Sequence, residues 1–210
     1  MIRTYSKARD GSKKLSANFT VAEFCCHDGS DVIVVDDALV ALLQKIRDHF
    51  GRAVNITSAY RTAAWNKKQG GAQNSYHSRG MAADIQIAGV SPITVALYAQ
   101  SIGAGGIGLY LYSGGMFVHV DSRSSKTRWV QATKSGGYTV VASIFPTLKT
   151  GSKGDAVRLM QRGIGCKEDG VFGKKDTETT LKAYQKKNGL DDDGVCGSMT
   201  WEKVCAVLKG

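Results

Sequence analysis

Several features that would place this 210-residue sequence in a class at once are missing from it. No apolar run approaches the ~20 residues that a membrane-spanning helix needs, so we expect no insertion into a membrane. No CxxC pair is present, which removes the usual spacing of a structural zinc site. Residues 1–7 are basic in character but have no apolar stretch behind them, so we expect no secretory signal. A protein of this kind that works outside the cytoplasm needs another route of release, unless a signal was removed.

Cysteines and charges are both unbalanced. The five cysteines are odd in number, and the vicinal pair is poorly placed to bond to itself: Cys25, Cys26, Cys166, Cys196 and Cys205. We interpret them as reduced, buried small residues, which fits folding in a reducing cytoplasm. Lysine and arginine number 28 against 18 acidic residues, a net charge of +10. This charge favours acidic partners such as nucleic acid, anionic lipid or an anionic polymer, without choosing among them.

Hydrophobic patterning predicts an α+β region with a small antiparallel sheet. Predicted strands cover residues 53–57, 81–87, 105–111 and 115–121, the last two forming a hairpin through a turn at residues 113–115. Asp36 or Asp37 can cap a helix that places Leu39, Leu42, Leu43 and Ile46 on one face. A serine cap followed by proline, Ser91-Pro92, predicts the start of another helix.

The end of the chain has a different texture and an internal repeat. Asp169-Gly170-Val171-Phe172-Gly173 recurs as Asp193-Gly194-Val195-Cys196-Gly197, and a predicted helix follows each copy. Asp-Gly alone is ordinary turn chemistry, but a five-position match followed twice by a helix favours a true repeat. We therefore predict a first domain over residues 1–133, a linker over 134–147 and a second domain over 148–210.

One set of residues has the composition of a catalytic zinc site. Such a site takes three protein ligands from His, Asp or Glu and leaves a fourth position open. His77 lies on a predicted loop, Asp84 on the strand that follows it and His119 on another strand. From spacing alone two interpretations stay open. The three residues form a zinc site, or the histidines are core residues whose hydrogen bonds are satisfied, which is the usual role of a lone buried histidine.

Further blocks surround these three residues in a fixed order. They are Thr57-Ser58-Ala59-Tyr60-Arg61-Thr62, Trp65-Asn66, Gly70-Gly71-Ala72, Ser75-x-His77-x-x-Gly80-x-Ala82-Ala83-Asp84, Gly108-x-Tyr110 and Phe117-Val118-His119-Val120-Asp121-x-Arg123. Together the blocks resemble the zinc D-Ala-D-Ala carboxypeptidase-type peptidases. That family includes phage endolysins and cell-wall peptidases and shares its fold group with the zinc domain of hedgehog signalling proteins. The resemblance covers residues 18–129.

The resemblance implies roles for four residues. It implies that His77, Asp84 and His119 bind Zn²⁺ as a catalytic cofactor. It also implies that Arg61 stabilises the reacting carbonyl or grips a substrate carboxylate, for which a planar guanidinium fork suits better than lysine. The alternative for Arg61 is an ion pair at the surface.

The general base departs from the family pattern. Relatives carry an acid or a histidine just before the last histidine ligand, where this chain has Met116 and Phe117. Asp121 lies two residues after His119. Because side chains alternate along a strand, both are on the same face. It could act as the base or hold the imidazole of His119 from behind, and the sequence leaves both roles open. The same version occurs in a recognised branch of the family, so the departure does not by itself imply an inactive enzyme.

The end of the chain, from residue 148, resembles a second known family. Several motifs are similar to those of a short peptidoglycan-binding domain: Leu148-Lys149, Gly154-Asp155, the two Asp-Gly turns, Tyr184-Gln185 and Thr200-Trp201. This resemblance implies a small all-α domain of three helices. The match covers residues 148–208. It implies peptidoglycan as the partner, and anchoring there raises the local concentration of substrate.

Both resemblances together predict a zinc-dependent peptidase that cuts the stem or cross-link peptides of peptidoglycan, as endolysins do. One alternative is a carboxypeptidase that trims terminal D-Ala. Another is a zinc-stabilised wall-binding protein without turnover. A nucleic-acid binder ranks last because charge alone suggests it, so we expect no nucleic-acid partner. We expect a monomer that is made in a host cytoplasm and released to the wall, or an extracellular protein.

Overall fold

Two compact units make up the chain, Met1–Ala142 and Ser143–Gly210. The computed structural model describes residues 1–112, 116–131, 137–141, 143–144 and 146–207. Within these ranges, no helix combines the length and the apolar character that crossing a membrane requires. Among the cysteines whose side chains are described, Cys26 and Cys196 are buried, as predicted, whereas Cys25 and Cys166 are half-buried.

The first unit is α+β. Its described strands are β1 (Ile2–Ser6), β2 (Val32–Asp36), β3 (Val54–Ser58), β4 (Ala82–Ile87), β5 (Gly106–Tyr110), β6 (Phe117–Asp121), β7 (Thr127–Gln131) and β8 (Thr139–Val141). Its described helices are α1 (Lys7–Asp10), a 3₁₀ helix (Val21–Phe24), α2 (Asp37–Phe50), α3 (Ala63–Lys68) and α4 (Pro92–Ser101). Strands β1 and β2 pair with each other, and the other six form one sheet.

The sheet has six strands and is mixed, which corrects the prediction of a small antiparallel sheet. The strand order is β3-β4-β6-β5-β7-β8, and every pairing is antiparallel except that of β5 with β7. The predicted hairpin of β5 and β6 is present, although its turn at residues 113–115 lies outside the described residues. The chain then reverses once more and returns along the free edge of β5, so β7 runs in the same direction as β5.

One face of the sheet is the core of this unit. Side chains on alternate positions of β4, β5 and β6 are fully or almost fully buried: Ala83, Ile85, Ile107, Leu109, Val118 and Val120. Helix α4 packs on these strands, and α2 packs on α4. Burying each of the larger apolar side chains contributes roughly 1.5–3 kcal/mol, and the polar residues of the same strands are thereby directed to the opposite face.

Both predicted helix starts are present, but only one is capped as predicted. The Ser91 side chain accepts a hydrogen bond from Thr94 N at the start of α4. Asp36 occupies the cap position of α2, yet its side chain makes no capping bond. Its carboxylate instead binds the amino group of Met1 and the hydroxyl of Ser122. These tertiary partners outcompete the local backbone donors.

The sheet extends into the span predicted as a linker. Strand β8 lies within residues 134–147 and pairs with β7, from Arg128↔Val141 to Val130↔Thr139. This part of the span is therefore sheet, because β7 offers an unpaired edge that a following segment can fill.

The second unit is helical, and the two copies of its repeat are built alike. Its described helices are α5 (Asp155–Ile164), α6 (Thr177–Lys187) and α7 (Ser198–Val207). Gln161 accepts a hydrogen bond from Gly170 N at 2.8 Å, and Gln185 accepts one from Gly194 N at 3.0 Å. Each glutamine amide also donates to the carboxylate of the aspartate that precedes the glycine. Each Asp-Gly turn is thus clasped by a buried glutamine from the helix before it.

Candidate metal centre

A single row across the sheet gathers the residues predicted to bind metal. Asp84 on β4 lies opposite His119 on β6, which in turn lies opposite Gly108 on β5. Ser58 on β3 extends the row on one side and Trp129 on β7 on the other. Residues directly opposite on neighbouring strands point to the same face, so this row stands on the face that the apolar core leaves open.

His77 joins the row from the loop before β4, and three donor atoms then converge. His77 Nε2 lies 3.1 Å from His119 Nδ1, His119 Nδ1 lies 3.0 Å from Asp84 Oδ1, and His77 Nε2 lies 3.3 Å from the same Oδ1. All three residues are buried. Their ligand atoms lie close enough together to hold one metal ion, which is found for this group of His, Cys, Asp and Glu side chains among the described residues.

The outer nitrogen of each imidazole has an acceptor of its own. His77 Nδ1 lies 2.7 Å from the carbonyl oxygen of Ala59, and His119 Nε2 lies 3.2 Å from Asp121 Oδ2. A carbonyl can only accept, so the proton of neutral His77 belongs on Nδ1. A neutral His119 bonded to the Asp121 carboxylate likewise carries its proton on Nε2. Both lone pairs then point into the centre, which is how metal-binding histidines are oriented.

Arg61 holds the second oxygen of the Asp84 carboxylate. Its Nη2 lies 2.5 Å from Asp84 Oδ2, and its Nε donates to Ser58 Oγ at 2.8 Å. The Arg61 side chain is 16% exposed and that of Asp84 9%, so the pair lies inside the site and not on the open surface. With the guanidinium held by Ser58, this charge-assisted bond keeps Asp84 turned so that its other oxygen faces the two histidines.

Charge and burial act in opposite directions on this centre. Burial alone raises the pKa of Asp84, but the charge on His77 and hydrogen bonds from both imidazoles outweigh it and hold that pKa well below its usual range. Burial alone lowers the pKa of His119, but its contacts with Asp121 and Asp84 dominate, so the pKa is raised. Asp84 is therefore an anion at neutral pH.

Asp121 is fully buried and saturated with donors. Its Oδ1 accepts from Gly106 N at 2.7 Å and from Arg123 N at 3.1 Å, while Arg123 Nε contacts both oxygens. Burial alone raises the pKa of Asp121, but hydrogen bonds from His119 and Arg123 hold it well below its usual range. A Cβ at position 106 would come within 2.0 Å of Asp121 Oδ2, so only glycine leaves room for this carboxylate.

The loop that carries His77 is held by residues from the recognised blocks. Asn66 on α3 donates to the carbonyl oxygen of Ala72, and Gly71 packs against the Asn66 amide so closely that a Cβ would lie 2.1 Å from its oxygen. Gly80 has φ +69° and lies against the backbone of Val34 on β2. These contacts explain why the asparagine and the glycines occur with His77.

Two aromatic residues beside the centre were not assigned roles from the sequence. Trp129 has its ring centroid 5.0 Å from that of His119, and its Nε1 donates to Tyr110 Oη at 3.0 Å. Gly108 makes this possible, because a Cβ there would lie 2.4 Å from the indole. Trp129 carries no sequence signal of its own, since its strand was not predicted.

The remaining histidines and the two replaced positions lie outside the cluster. His27 is exposed, and His49 stacks on Tyr98 with ring centroids 3.5 Å apart. Met116 is 52% exposed, and Phe117 stacks on Tyr110 with centroids 4.2 Å apart. Neither Met116 nor Phe117 offers a group that can accept a proton, as the sequence indicated.

Comparison with known proteins identifies a family for each of the two units. A model of the peptidase M15 family matches residues 17–121, half of the chain, and a model of a peptidoglycan binding domain matches residues 158–204. The probable peptidoglycan L,D-endopeptidase MepK of Haemophilus influenzae is 39% identical over 79 residues, 35% of this chain and 41% of that protein. The peptidoglycan L,D-endopeptidase MepK of Escherichia coli K12 is 33% identical over 95 residues, 42% of this chain and 51% of that protein.

An uncharacterized protein of Kitasatospora aureofaciens is 34% identical over 76 residues, which are 33% of this chain and 61% of that protein. The matched segments thus span about half the length of the curated relatives. The family model covers every residue of the converging cluster, together with Arg61 and Asp121. On this match the chain belongs to the peptidase M15 family and carries a peptidoglycan-binding domain after it.

Proposed function

We propose that this chain is a zinc-dependent peptidoglycan peptidase, with its active site in residues 1–133 and a wall anchor in residues 148–210. The observation that carries the proposal is the convergence of His77 Nε2, His119 Nδ1 and Asp84 Oδ1, with both outer imidazole nitrogens bound elsewhere. Membership of the peptidase M15 family supplies the reaction class.

The donor set fits zinc. Two imidazoles and one carboxylate are a common ligand set for catalytic zinc, which leaves a fourth position open. Ligands held at 2.0–2.1 Å in a tetrahedron lie about 3.3–3.4 Å apart. The three separations here are 3.0, 3.1 and 3.3 Å, so little movement is needed. Zinc in a site of this kind lowers the pKa of water to about 7 and polarises a carbonyl group.

Arg61 has two tasks in this proposal. Through Nη2 it holds the Asp84 carboxylate, and through Nε it is itself held by Ser58. The rest of the guanidinium provides positive charge next to the place where a carbonyl oxygen becomes negative. A charge fixed in advance in a buried site stabilises that change strongly, because little has to reorganise during the reaction.

The contacts of Asp121 support the role of partner to His119 over that of general base. The carboxylate meets the imidazole at Nε2, whereas the ligand nitrogen is Nδ1. Its oxygens also accept hydrogen bonds from Gly106 and from Arg123. We propose that Asp121 holds the single proton of the neutral His119 imidazole on Nε2 when metal is bound, so that Nδ1 presents its lone pair.

The substrate assignment rests on the second domain and on the relatives. The relatives from Haemophilus influenzae and Escherichia coli are named as peptidoglycan L,D-endopeptidases, which supports an internal peptide bond over a terminal one. A wall-binding domain on the same chain keeps the active site near a polymeric substrate. Release of the protein to the wall in the manner of a phage endolysin stays a prediction.

A non-catalytic wall-binding protein is the second candidate, and one observation favours it. Met116 and Phe117 stand where relatives carry an acid or a histidine, and Asp121 is engaged elsewhere. Under this alternative the metal would only stabilise the fold. The carboxypeptidase alternative differs from our proposal only in the bond that is cut.

Digestion of purified peptidoglycan separates these possibilities. We expect the intact chain to release soluble peptides with zinc present, to lose this activity with a chelator, and to lose it in His77→Ala. His27→Ala is the matched control, since His27 is exposed, and should behave as wild type. Mass spectrometry of the new termini names the bond, and loss of D-Ala alone would point to the carboxypeptidase. Binding to the wall with no release at any zinc concentration would overturn the proposal in favour of the non-catalytic alternative.

A further inference from the structure

Tyr110 stands beside the metal centre on the same face of the sheet. It is the last residue of β5, two positions beyond Gly108, so its side chain points to the side on which His119 lies. Its ring stacks on Phe117, with centroids 4.2 Å apart and an angle of 14° between the planes. The position of the phenol is therefore fixed by packing before any substrate binds.

The hydrogen bond to Trp129 determines where the phenol proton can go. Trp129 Nε1 lies 3.0 Å from Tyr110 Oη, and an indole nitrogen can only donate. The phenol oxygen therefore accepts from Trp129, and its own proton must point elsewhere. Among the residues that the structure describes, Tyr110 Oη has no hydrogen-bond acceptor. Within the described ranges the proton is thus a donor that no side chain or carbonyl group takes up.

The same contact places this donor next to the reacting centre. Trp129 bridges the two sites, because its ring lies beside the His119 imidazole while its Nε1 holds the phenol. Asp84 and Arg61 are close enough to act on Tyr110 electrostatically. Burial raises the pKa of Tyr110 and the charge of Asp84 adds to the rise, against the opposing effects of Trp129 and Arg61. The phenol therefore stays protonated at neutral pH, as a donor must.

From this geometry we infer that Tyr110 donates a hydrogen bond to the carbonyl oxygen of the scissile peptide as that oxygen becomes negative. The inference rests on the proposed peptidase function and adds a second donor to Arg61. No proton is transferred, since the proton stays on Tyr110 Oη and is shared with the carbonyl oxygen. Trp129 acts through Tyr110 as a positioning residue, and Gly108 leaves the space that Trp129 needs.

Tyr110→Phe tests the inference, with Tyr112→Phe as the matched control. Both variants remove one phenol oxygen and keep the ring, and Tyr112 packs edge-on against Tyr110 with centroids 6.2 Å apart. The assay uses soluble muropeptides from the same peptidoglycan. We expect Tyr110→Phe to lower kcat about 100-fold, the effect of losing one such donor, with KM changed less than about threefold. Tyr112→Phe should match wild type, and zinc affinity should be equal in all three proteins.

Three results would overturn the inference while leaving the proposed function intact. In the first, Tyr110→Phe has the kcat of the wild type. In the second, Tyr112→Phe lowers kcat as much as Tyr110→Phe does. In the third, Tyr110→Phe loses activity because it binds zinc more weakly. A wild-type protein that is loaded with zinc and cleaves no muropeptide is a different result, because it removes the proposed function itself.

Discussion

Asp121 Oδ2 lies 3.2 Å from Nε2 of His119, the ring nitrogen that does not face His77 and Asp84. The carboxylate is fully buried and also bound by Arg123, so it cannot turn away from the imidazole without breaking several contacts. The pair fixes both the orientation of the ring and the nitrogen that carries its proton.

Asp121→Asn should therefore weaken zinc binding. An amide removes the charge that favours a protonated Nε2, and partners of this kind contribute about 10–100-fold to metal affinity. Competition with a chromogenic chelator measures the change. Asp48→Asn, on the exposed surface of α2, is the control and should bind zinc as wild type does. Wild-type zinc affinity in Asp121→Asn, with activity lost, would instead indicate that Asp121 is the general base.

Zinc affinity should rise with pH. The pKa of His119 is raised because its contacts with Asp121 and Asp84 outweigh the effect of burial, and a ligand imidazole must lose its proton before it binds metal. Each displaced proton makes the apparent affinity about tenfold stronger per pH unit, until the pH exceeds the raised pKa. Asp84 adds no dependence, since its pKa is well below the usual range. Chelator competition at a series of pH values tests this, and a flat profile from about pH 5 to 8 would contradict it.

Arg61→Lys should impair turnover more than metal binding. Lysine cannot hold the Asp84 carboxylate and Ser58 Oγ at once, as the guanidinium does. We expect kcat/KM on muropeptides to fall by about 100-fold or more, and zinc affinity by less than about tenfold. Arg52→Lys is the control, because Arg52 is exposed and donates to the backbone carbonyl of Ala88. A variant that turns over as fast as wild type would remove Arg61 from the mechanism.

Gln161→Leu and Gln185→Leu should destabilise the second unit by similar amounts. Each glutamine is buried and bonds a glycine N–H and an aspartate carboxylate, and leucine would remove the acceptor of the glycine N–H and one donor to the carboxylate. A cost of about 1–3 kcal/mol is expected for each variant. Denaturant unfolding followed by the fluorescence of buried Trp201 measures it, with exposed Lys186→Ala as control. Losses that differ by more than about 2 kcal/mol would show that the two clasps are not equivalent.

The parts of the site that follow strand periodicity could be predicted from the sequence. Asp84 and His119 come from strands recognisable by their apolar alternation, and His77 precedes one of them by a short loop. The two open roles of Asp121 could not be separated in this way. Both roles require the same strand face, and only the choice between Nδ1 and Nε2 distinguishes them.

Other features depend on contacts between distant segments, which local patterns do not encode. The parallel pairing of β5 with β7 joins Gly108 to Trp129, and the need for glycine at 108 becomes visible only with the indole above it. In the same way, Asp36 has the sequence of a helix cap, but the amino group of Met1 and the hydroxyl of Ser122 take its carboxylate. In both cases a contact with a residue distant in sequence determines the structure, and the local sequence does not reveal it.

Zinc titration of the metal-stripped protein tests the central claim most directly. The intact chain is stripped with a chelator, zinc is added back stepwise, and the release of peptides from peptidoglycan is measured at each step. Our account predicts no release without zinc, recovery that is complete at one zinc per chain, and no recovery in His77→Ala. Full activity of the stripped wild-type protein, or equal recovery in His77→Ala, would contradict a catalytic zinc site at His77, Asp84 and His119.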